Sequence, residues 1–133
     1  MNPVTVTLVG AGSRGFLEFG AFARRYGQFI KFVAVAEPDE ERRNGFAAIH
    51  QIPPERCFAS YEELFAQPQM SEGLINATTD ILHYQVTAGA VAKGYHVFQE
   101  KPLAATIEDC LRLQNLANQS DRIIQVGHCL RFT

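Results

Sequence analysis

Near the start of the chain, Gly10-Ala11-Gly12-Ser13-Arg14-Gly15 has the spacing Gly-X-Gly-X-X-Gly directly after the apolar run Val4–Val9. In such a place Gly10 permits a tight turn, Gly12 lets backbone approach a phosphate with no side chain between, and Gly15 lets a helix pack closely on the preceding strand. A helix opening at Ser13 and Arg14 then offers unpaired N–H groups and about +0.5 of an elementary charge to an anion. This is the chemistry of a pyrophosphate held by backbone amides without a lysine. A flexible surface turn is the competing reading of the bare motif, and its strand-to-helix context disfavours that reading.

An acid about 20 residues downstream, at the end of the second strand, is the companion such a loop needs to hold an adenine ribose. Glu37 occupies that place after Ala34-Val35-Ala36. A carboxylate there accepts both ribose hydroxyls, and it repels a 2'-phosphate by roughly 4 kcal/mol at about 4 Å and an effective dielectric of about 20. NAD is therefore the expected cofactor, ahead of NADP. Arg42 and Arg43 follow closely and are an alternative 2'-phosphate site, but the favoured reading makes them a solvated helix face paired with Asp39 or Glu40.

The second chemical cluster is Glu100-Lys101-Pro102, placed after a fifth apolar strand. In open α/β sheets ligands bind at this carboxyl edge. Pro102 bars Lys101 from helical geometry and is compatible with a cis bond. A lysine ammonium there can steady charge on an oxygen by donating a charged hydrogen bond, the role favoured for Lys101. Glu100 points to the opposite face of the strand and reads as a positioning residue.

The elements that must present these residues alternate βαβα. Strands are expected at residues 4–9, 30–36, 57–59, 73–77, 95–99 and 123–126. Between them come a helix from Ser13 with Phe16, Phe19, Gly20 and Ala23 on one face, and a helix over 39–50 stopped by Pro53 and Pro54. A short helix to Ala66 follows, with the capping-box pair Ser60 and Glu63. The next spans 81–93, with Ile81, Tyr84, Ala88 and Val91 inward and Gly94 as its stop. The last is capped by Thr106 and gathers Cys110, Leu113, Leu116 and Ala117. Strands apolar on both faces and separated by helices imply an α/β, three-layer Rossmann fold: one doubly wound, mostly parallel, six-stranded sheet in one domain over 1–133.

Composition narrows the class. At 133 residues, 47% hydrophobic and 20% charged, the chain has the makings of one soluble core. A net charge of −2 gives no positive field for nucleic acid or an anionic membrane surface, and no apolar run is long enough to span a bilayer. Cys57, Cys110 and Cys129 stand apart, suiting a reducing cytoplasm rather than a disulfide framework or a zinc site. No metal is expected.

These residues, with Ala77-Thr78-Thr79-Asp80-Ile81-Leu82-His83, Gly94-Tyr95-His96-Val97 and Val126-Gly127-His128-Cys129-Leu130-Arg131-Phe132, resemble the glucose-fructose oxidoreductase, inositol dehydrogenase and MocA family over residues 4–132. The resemblance implies an NAD(P)-dependent oxidoreductase acting on a sugar, cyclitol or similar alcohol, with homo-oligomers expected. It implies Lys101 as catalytic residue beside the nicotinamide. It lays the segment with Asn76, Ala77, Thr78, Asp80 and His83 along the cofactor and sets Arg131 near its nicotinamide end. Taken on position alone, His83 and His96 read as structural. The chain departs from the family with Thr79 where many relatives carry Pro, and Tyr95-His96 where Lys-His is commoner.

Members of that family also continue into a second α/β domain carrying an Asp and a His for the substrate. The chain thus reads as a cofactor-binding piece of a longer enzyme, inactive alone, with the face meant for the second domain exposed. Two other classes compete: a stand-alone NAD-sensing or scaffolding module, and a methyltransferase-type domain binding S-adenosylmethionine. The latter shares the glycine loop and the acid but has no use for Lys-Pro after the fifth strand.

Overall fold

A computed structural model describes residues 1–132. Six strands form one sheet: β1 (Val4–Val9), β2 (Ile30–Ala36), β3 (Cys57–Phe58), β4 (Gly73–Asn76), β5 (His96–Glu100) and β6 (Ile124–Gly127). Their order is β3-β2-β1-β4-β5-β6 and every pairing is parallel. The order reverses between β1 and β4, the switch point at which doubly wound sheets open a ligand crevice. The expected fold is the one observed.

Side chains alternate across this sheet and feed two apolar layers. Val6, Leu8, Phe32 and Val35 meet Ala23 of α1 (Gly20–Arg25) and Phe46 and Ala47 of α2 (Glu40–His50). Val9, Ala36, Leu74 and Val97 meet Leu64 of α3 (Tyr61–Phe65) and Val86, Ala90 and Val91 of α4 (His83–Ala92). Leu113 is the fully buried anchor of α5 (Ile107–Gln119). On the first face α1 and α2 leave part of β4 and β5 open, and a cleft of about 550 Å³ lies there among Phe19, Phe22, Ile75, Phe98 and Ile123.

The helix ends follow local chemistry. Asp39 accepts the Arg42 N–H at 2.8 Å, and Thr106 accepts the Asp109 N–H at 3.1 Å, so both helices carry side-chain caps. Ser60 accepts the Glu63 N–H at 3.2 Å as the capping box requires, but the Glu63 carboxylate reaches back to the N–H of Ala59 at 3.0 Å rather than to that of Ser60. That bond takes Ala59 out of the ladder, and β3 ends at Phe58. Similarly, the Tyr95 N–H closes α4 on the Ala90 carbonyl at 3.0 Å, so β5 runs over His96–Glu100 instead of 95–99. Gly94, with φ 99°, makes the turn between them.

Two helices differ more deeply. The first begins as a π-helical stretch, Ser13–Phe19, before continuing as α1. The other is α4, whose first turn is a 3-10 turn at Asp80–Leu82 and whose buried face is His83, Val86, Thr87, Ala90 and Val91. Ile81 is exposed, and Tyr84 and Ala88 are only half-buried. Polar His83 and Thr87 displace the apolar choice because their hydrogen-bond partners lie beneath the helix.

Within the first layer, the Phe46 ring packs edge-on against Phe16 and Phe32, with centroids 5.6 and 5.0 Å away, and lies 4.3 Å from the His50 ring. Burial first, and the nearby Arg24 charge second, push the His50 imidazole below its usual 6.5. A depressed histidine favours the neutral ring in the fold, so stability is full above the unfolded value and falls as pH drops below about 6.5. Urea midpoints between about pH 7 and pH 5 should therefore fall less steeply in His50→Gln than in the parent chain. Parallel slopes would refute the assignment.

Candidate functional site

Parallel register brings the residues of interest to one edge. Ala36 pairs with Val9, Val9 with Asn76, and Asn76 with Gln99. The next residue on each strand is Glu37, Gly10, Ala77 and Glu100 in turn. From β2 to β5 is three interstrand steps of about 4.8 Å, a span of about 14 Å that an extended dinucleotide can bridge.

At the glycine loop each position has its own geometry. Gly10 has φ 92°, and a Cβ there would meet the Ala77 carbonyl oxygen at 2.6 Å. A Cβ on Gly15 would lie 2.0 Å from the Gly10 oxygen, so this glycine sets how closely the helix meets the loop. Around Gly12 the reverse holds: a Cβ would find nothing within 4 Å. Its φ of −75° also suits any residue, and no side chain caps the helix that starts there. Open space over uncapped first-turn amides is what a bound diphosphate needs, so the residues present fit a dinucleotide.

Glu37 is buried, and its carboxylate is tied to the loop: Oε2 accepts the Ala11 N–H at 2.7 Å, and Oε1 accepts the Asp39 N–H at 3.0 Å and Arg42 Nη2 at 3.0 Å. The expected pairing of Arg42 and Arg43 with Asp39 or Glu40 side chains is thus corrected. Arg43 donates through Nη1 to the carbonyls of Glu37 at 2.7 Å and Pro38 at 3.3 Å. Both arginines are drawn to the strand end because its carboxylate and carbonyls converge there.

At the other end, Glu100 is buried and accepts Arg14 Nη2 at 2.8 Å and Nε at 3.1 Å on its Oε1. The bond raises the Arg14 guanidinium above its ordinary value, with desolvation opposing. This pair joins the glycine loop to the Glu-Lys-Pro segment across 86 positions of sequence. Lys101, just past the end of β5, is exposed, and the Lys101–Pro102 bond is cis.

Between the two ends lies a buried polar network. The His83 ring bridges the carbonyls of Pro102, 2.6 Å from Nδ1, and Thr78, 3.0 Å from Nε2. Asn76 donates to the His83 carbonyl at 3.2 Å and to the Thr87 hydroxyl at 3.0 Å, and its Oδ1 accepts the Thr78 hydroxyl at 2.7 Å. Thr87 in turn donates to Gln99, whose amide nitrogen donates to the carbonyls of Leu103 and Pro102. Asn76 and His83 therefore lie beneath the edge and shape it, while Thr78, Ala77 and Asp80 stand above them. Thr79 holds φ −69°, the value a proline would impose.

Thr87 and Gln99 went unnoticed in the sequence. Their signal was present: an uncharged polar residue just before Glu100 at the end of β5, and a Thr one turn after His83 in an apolar helix. Arg131 lies exposed in the closing turn Cys129–Phe132, its N–H on the His128 carbonyl at 3.0 Å. Among the described residues no cluster of three His, Cys, Asp or Glu could hold a metal, and no helix is long and apolar enough to cross a membrane.

Fold and edge together define a dinucleotide-binding Rossmann domain. A family model described as "Oxidoreductase family, NAD-binding Rossmann fold" matches residues 4–128, and the chain belongs to that family, the glucose-fructose oxidoreductase, inositol dehydrogenase and MocA group. It is 32% identical to inositol 2-dehydrogenase of Agrobacterium fabrum over 97% of its own length and 38% of the dehydrogenase. Among solved structures it matches an inositol dehydrogenase homolog from Azotobacter vinelandii complexed with NADH and myo-inositol. That match has TM-score 0.80 and 27% identity, covering 95% of this chain and 35% of the other. It also matches a biliverdin reductase from Synechocystis in complex with biliverdin and NADP+, with TM-score 0.81 and 27% identity over 96% of this chain and 38% of the other. The chain spans between 21% and 38% of the length of its first curated relatives.

The polar network yields a stability test. His83→Phe keeps the volume but removes the ring nitrogens from the Pro102 and Thr78 carbonyls, and should cost about 1–3 kcal/mol in urea denaturation. An unchanged midpoint would show that the ring only fills space.

Proposed function

We propose that the chain is the cofactor-binding domain of a longer oxidoreductase that moves hydride between a nicotinamide dinucleotide and a sugar, cyclitol or related alcohol. The observation that carries this reading is the shared edge: an acid after β2, a glycine loop after β1 and Glu100 closing β5 in one register, with Lys101 the next residue. The cofactor accepts or supplies the hydride, and relatives solved with NADH or NADP+ support this choice of group. The remaining roles belong to the chain.

Amides of Gly12, Ser13, Arg14 and Gly15 hold the diphosphate, with Gly10 setting the turn. Glu37 accepts from the adenine ribose. Ala77, Thr78 and Asp80 border the middle of the cleft, shaped from below by Asn76 and His83. Lys101 donates a charged hydrogen bond to the reacting oxygen, directed by Glu100 through Arg14 and by Pro102 through His83. Arg131 borders the nicotinamide end. Substrate contacts come from a second domain, so the chain alone binds cofactor without turnover. The cleft beside Phe22 and Ile123 is the kind of apolar face that a second domain or a homo-oligomer contact covers.

Gly12→Val tests the reading cleanly, because open space around the Cβ leaves the fold intact while the new side chain blocks the amides. Calorimetric titration should show NAD+ binding the parent chain and at least about tenfold weaker binding to the variant, at an unchanged melting temperature. Equal affinities would overturn the placement. Binding of S-adenosylmethionine in preference to NAD+ would favour a methyltransferase-type domain.

A further inference from the structure

The outer groove between α1 and α2 is basic, and the nucleotide edge makes no use of it. Two adjoining hollows of about 100 and 210 Å³ share Arg24, Ile49 and His50 as walls. The smaller has an apolar floor of Phe16, Gly20 and Ala21, and holds several times the roughly 30 Å³ share of one water. Leu17 and Ile49 stand 64% and 43% exposed at its mouth, so an apolar slot opens to solvent. The larger hollow adds Lys31. No acid lines either hollow, and among the described residues Arg24 and Lys31 have no ionic partner. Nor are they needed at the helix ends, where the Tyr26 N–H closes on the Phe22 carbonyl and the Ile52 N–H on that of Ala47, both at 2.9 Å.

One helix of the same chain has the complementary face. α5 lies on the second layer, where Leu116 packs, and turns Ile107 and Leu111, 82% and 55% exposed, outward at i, i+4 spacing. Beside them is Glu108, whose Oε1 accepts Arg112 Nη2 at 2.6 Å. That guanidinium also lies over the Tyr84 ring at 5.7 Å, and the acid is the more exposed of the two. An apolar pair flanked by an acid thus has, on another copy, an apolar slot flanked by cations to receive it.

We propose that copies of the chain stack head to tail, α5 of one copy seating Ile107 and Leu111 in the α1–α2 groove of the next with Glu108 against Arg24. Groove and helix lie on opposite layers of the sheet, so two copies cannot make both contacts at once, and each copy keeps one groove and one helix for further partners. Two aliphatic anchors make a small interface, below about 1,200 Å², the size of weak and transient pairs. Apolar contact supplies the attraction, and the Glu108–Arg24 pair selects which helix fits. The larger cleft has Arg14 and Glu18 on its rim, one charge of each sign, and makes no such selection. The groove ends at Gly27, Lys31 and Gln51, where β2 begins and α2 stops, on the opposite edge from Gly12 and Glu37. Stacking therefore leaves the nucleotide edge open and is independent of the function proposed above.

Sedimentation between about 10 and 500 µM tests this, for the parent, Ile49→Asp in the groove and Leu111→Asp on the helix. The parent's mean mass should rise with concentration past that of a dimer, and each variant alone should associate at least about tenfold more weakly at an unchanged melting temperature. Mixed in equal amounts, the two variants should form 1:1 dimers that grow no further, since each such pair retains one intact helix facing one intact groove. A charge swap at positions that remove no packing checks the orientation: Arg24→Glu and Glu108→Arg should each weaken association, and their mixture should restore it. A parent that stays monomeric at about 500 µM, variants that associate as the parent does, or mixtures that show no recovery would overturn the inference.

Discussion

Parallel pairing is the constraint on which the site depends, because it makes every strand deliver its carboxyl end to the same edge. Antiparallel pairing at β4 or β5 would send Asn76 and Glu100 to opposite ends. With all six strands aligned, residues 23 to 67 positions apart in sequence stand side by side along the edge, and the reversal of strand order between β1 and β4 parts the helices above them. The close approach at Gly15, where even a methyl group would meet the Gly10 carbonyl, keeps the first helix pressed onto this edge.

Two buried carboxylates then join the edge laterally. Glu37 ties β2 to the loop through the Ala11 N–H, and Glu100 ties β5 to the same loop through Arg14. Each charge is compensated by hydrogen bonds and an arginine, as burial of a carboxylate demands. The glycine loop is thereby fixed from both sides. Below it, Asn76, His83, Thr87 and Gln99 form a network in which each amide or ring group has a partner, so the Thr78 and Pro102 segments are held at defined heights.

Features that depend on neighbours in sequence were legible before any coordinates. Thr106 as a cap, the turn at Gly94, the glycine loop and the strand that feeds it all follow from spacing and backbone preference. Apolar strands alternating with helices extended this to the parallel sheet and its carboxyl edge. The face of α4 was not legible, because His83 and Thr87 look out of place in a core until Asn76, Gln99 and Pro102 are seen beneath them. Nor was the partner of Arg14, since Glu100 lies on another strand, nor that of Arg42, which passes over its nearest helix acids for the more buried Glu37. In each case a more buried polar group outweighed the local apolar or charge pattern.

Amide-resolved NMR of the chain during NAD+ addition tests the central claim most directly. Saturable shifts should concentrate at Ala11 to Gly15, Glu37, Thr78 and Lys101, one continuous line along the carboxyl edge. Shifts confined to the apolar cleft around Phe22 and Phe98, with the glycine loop unmoved, would contradict it.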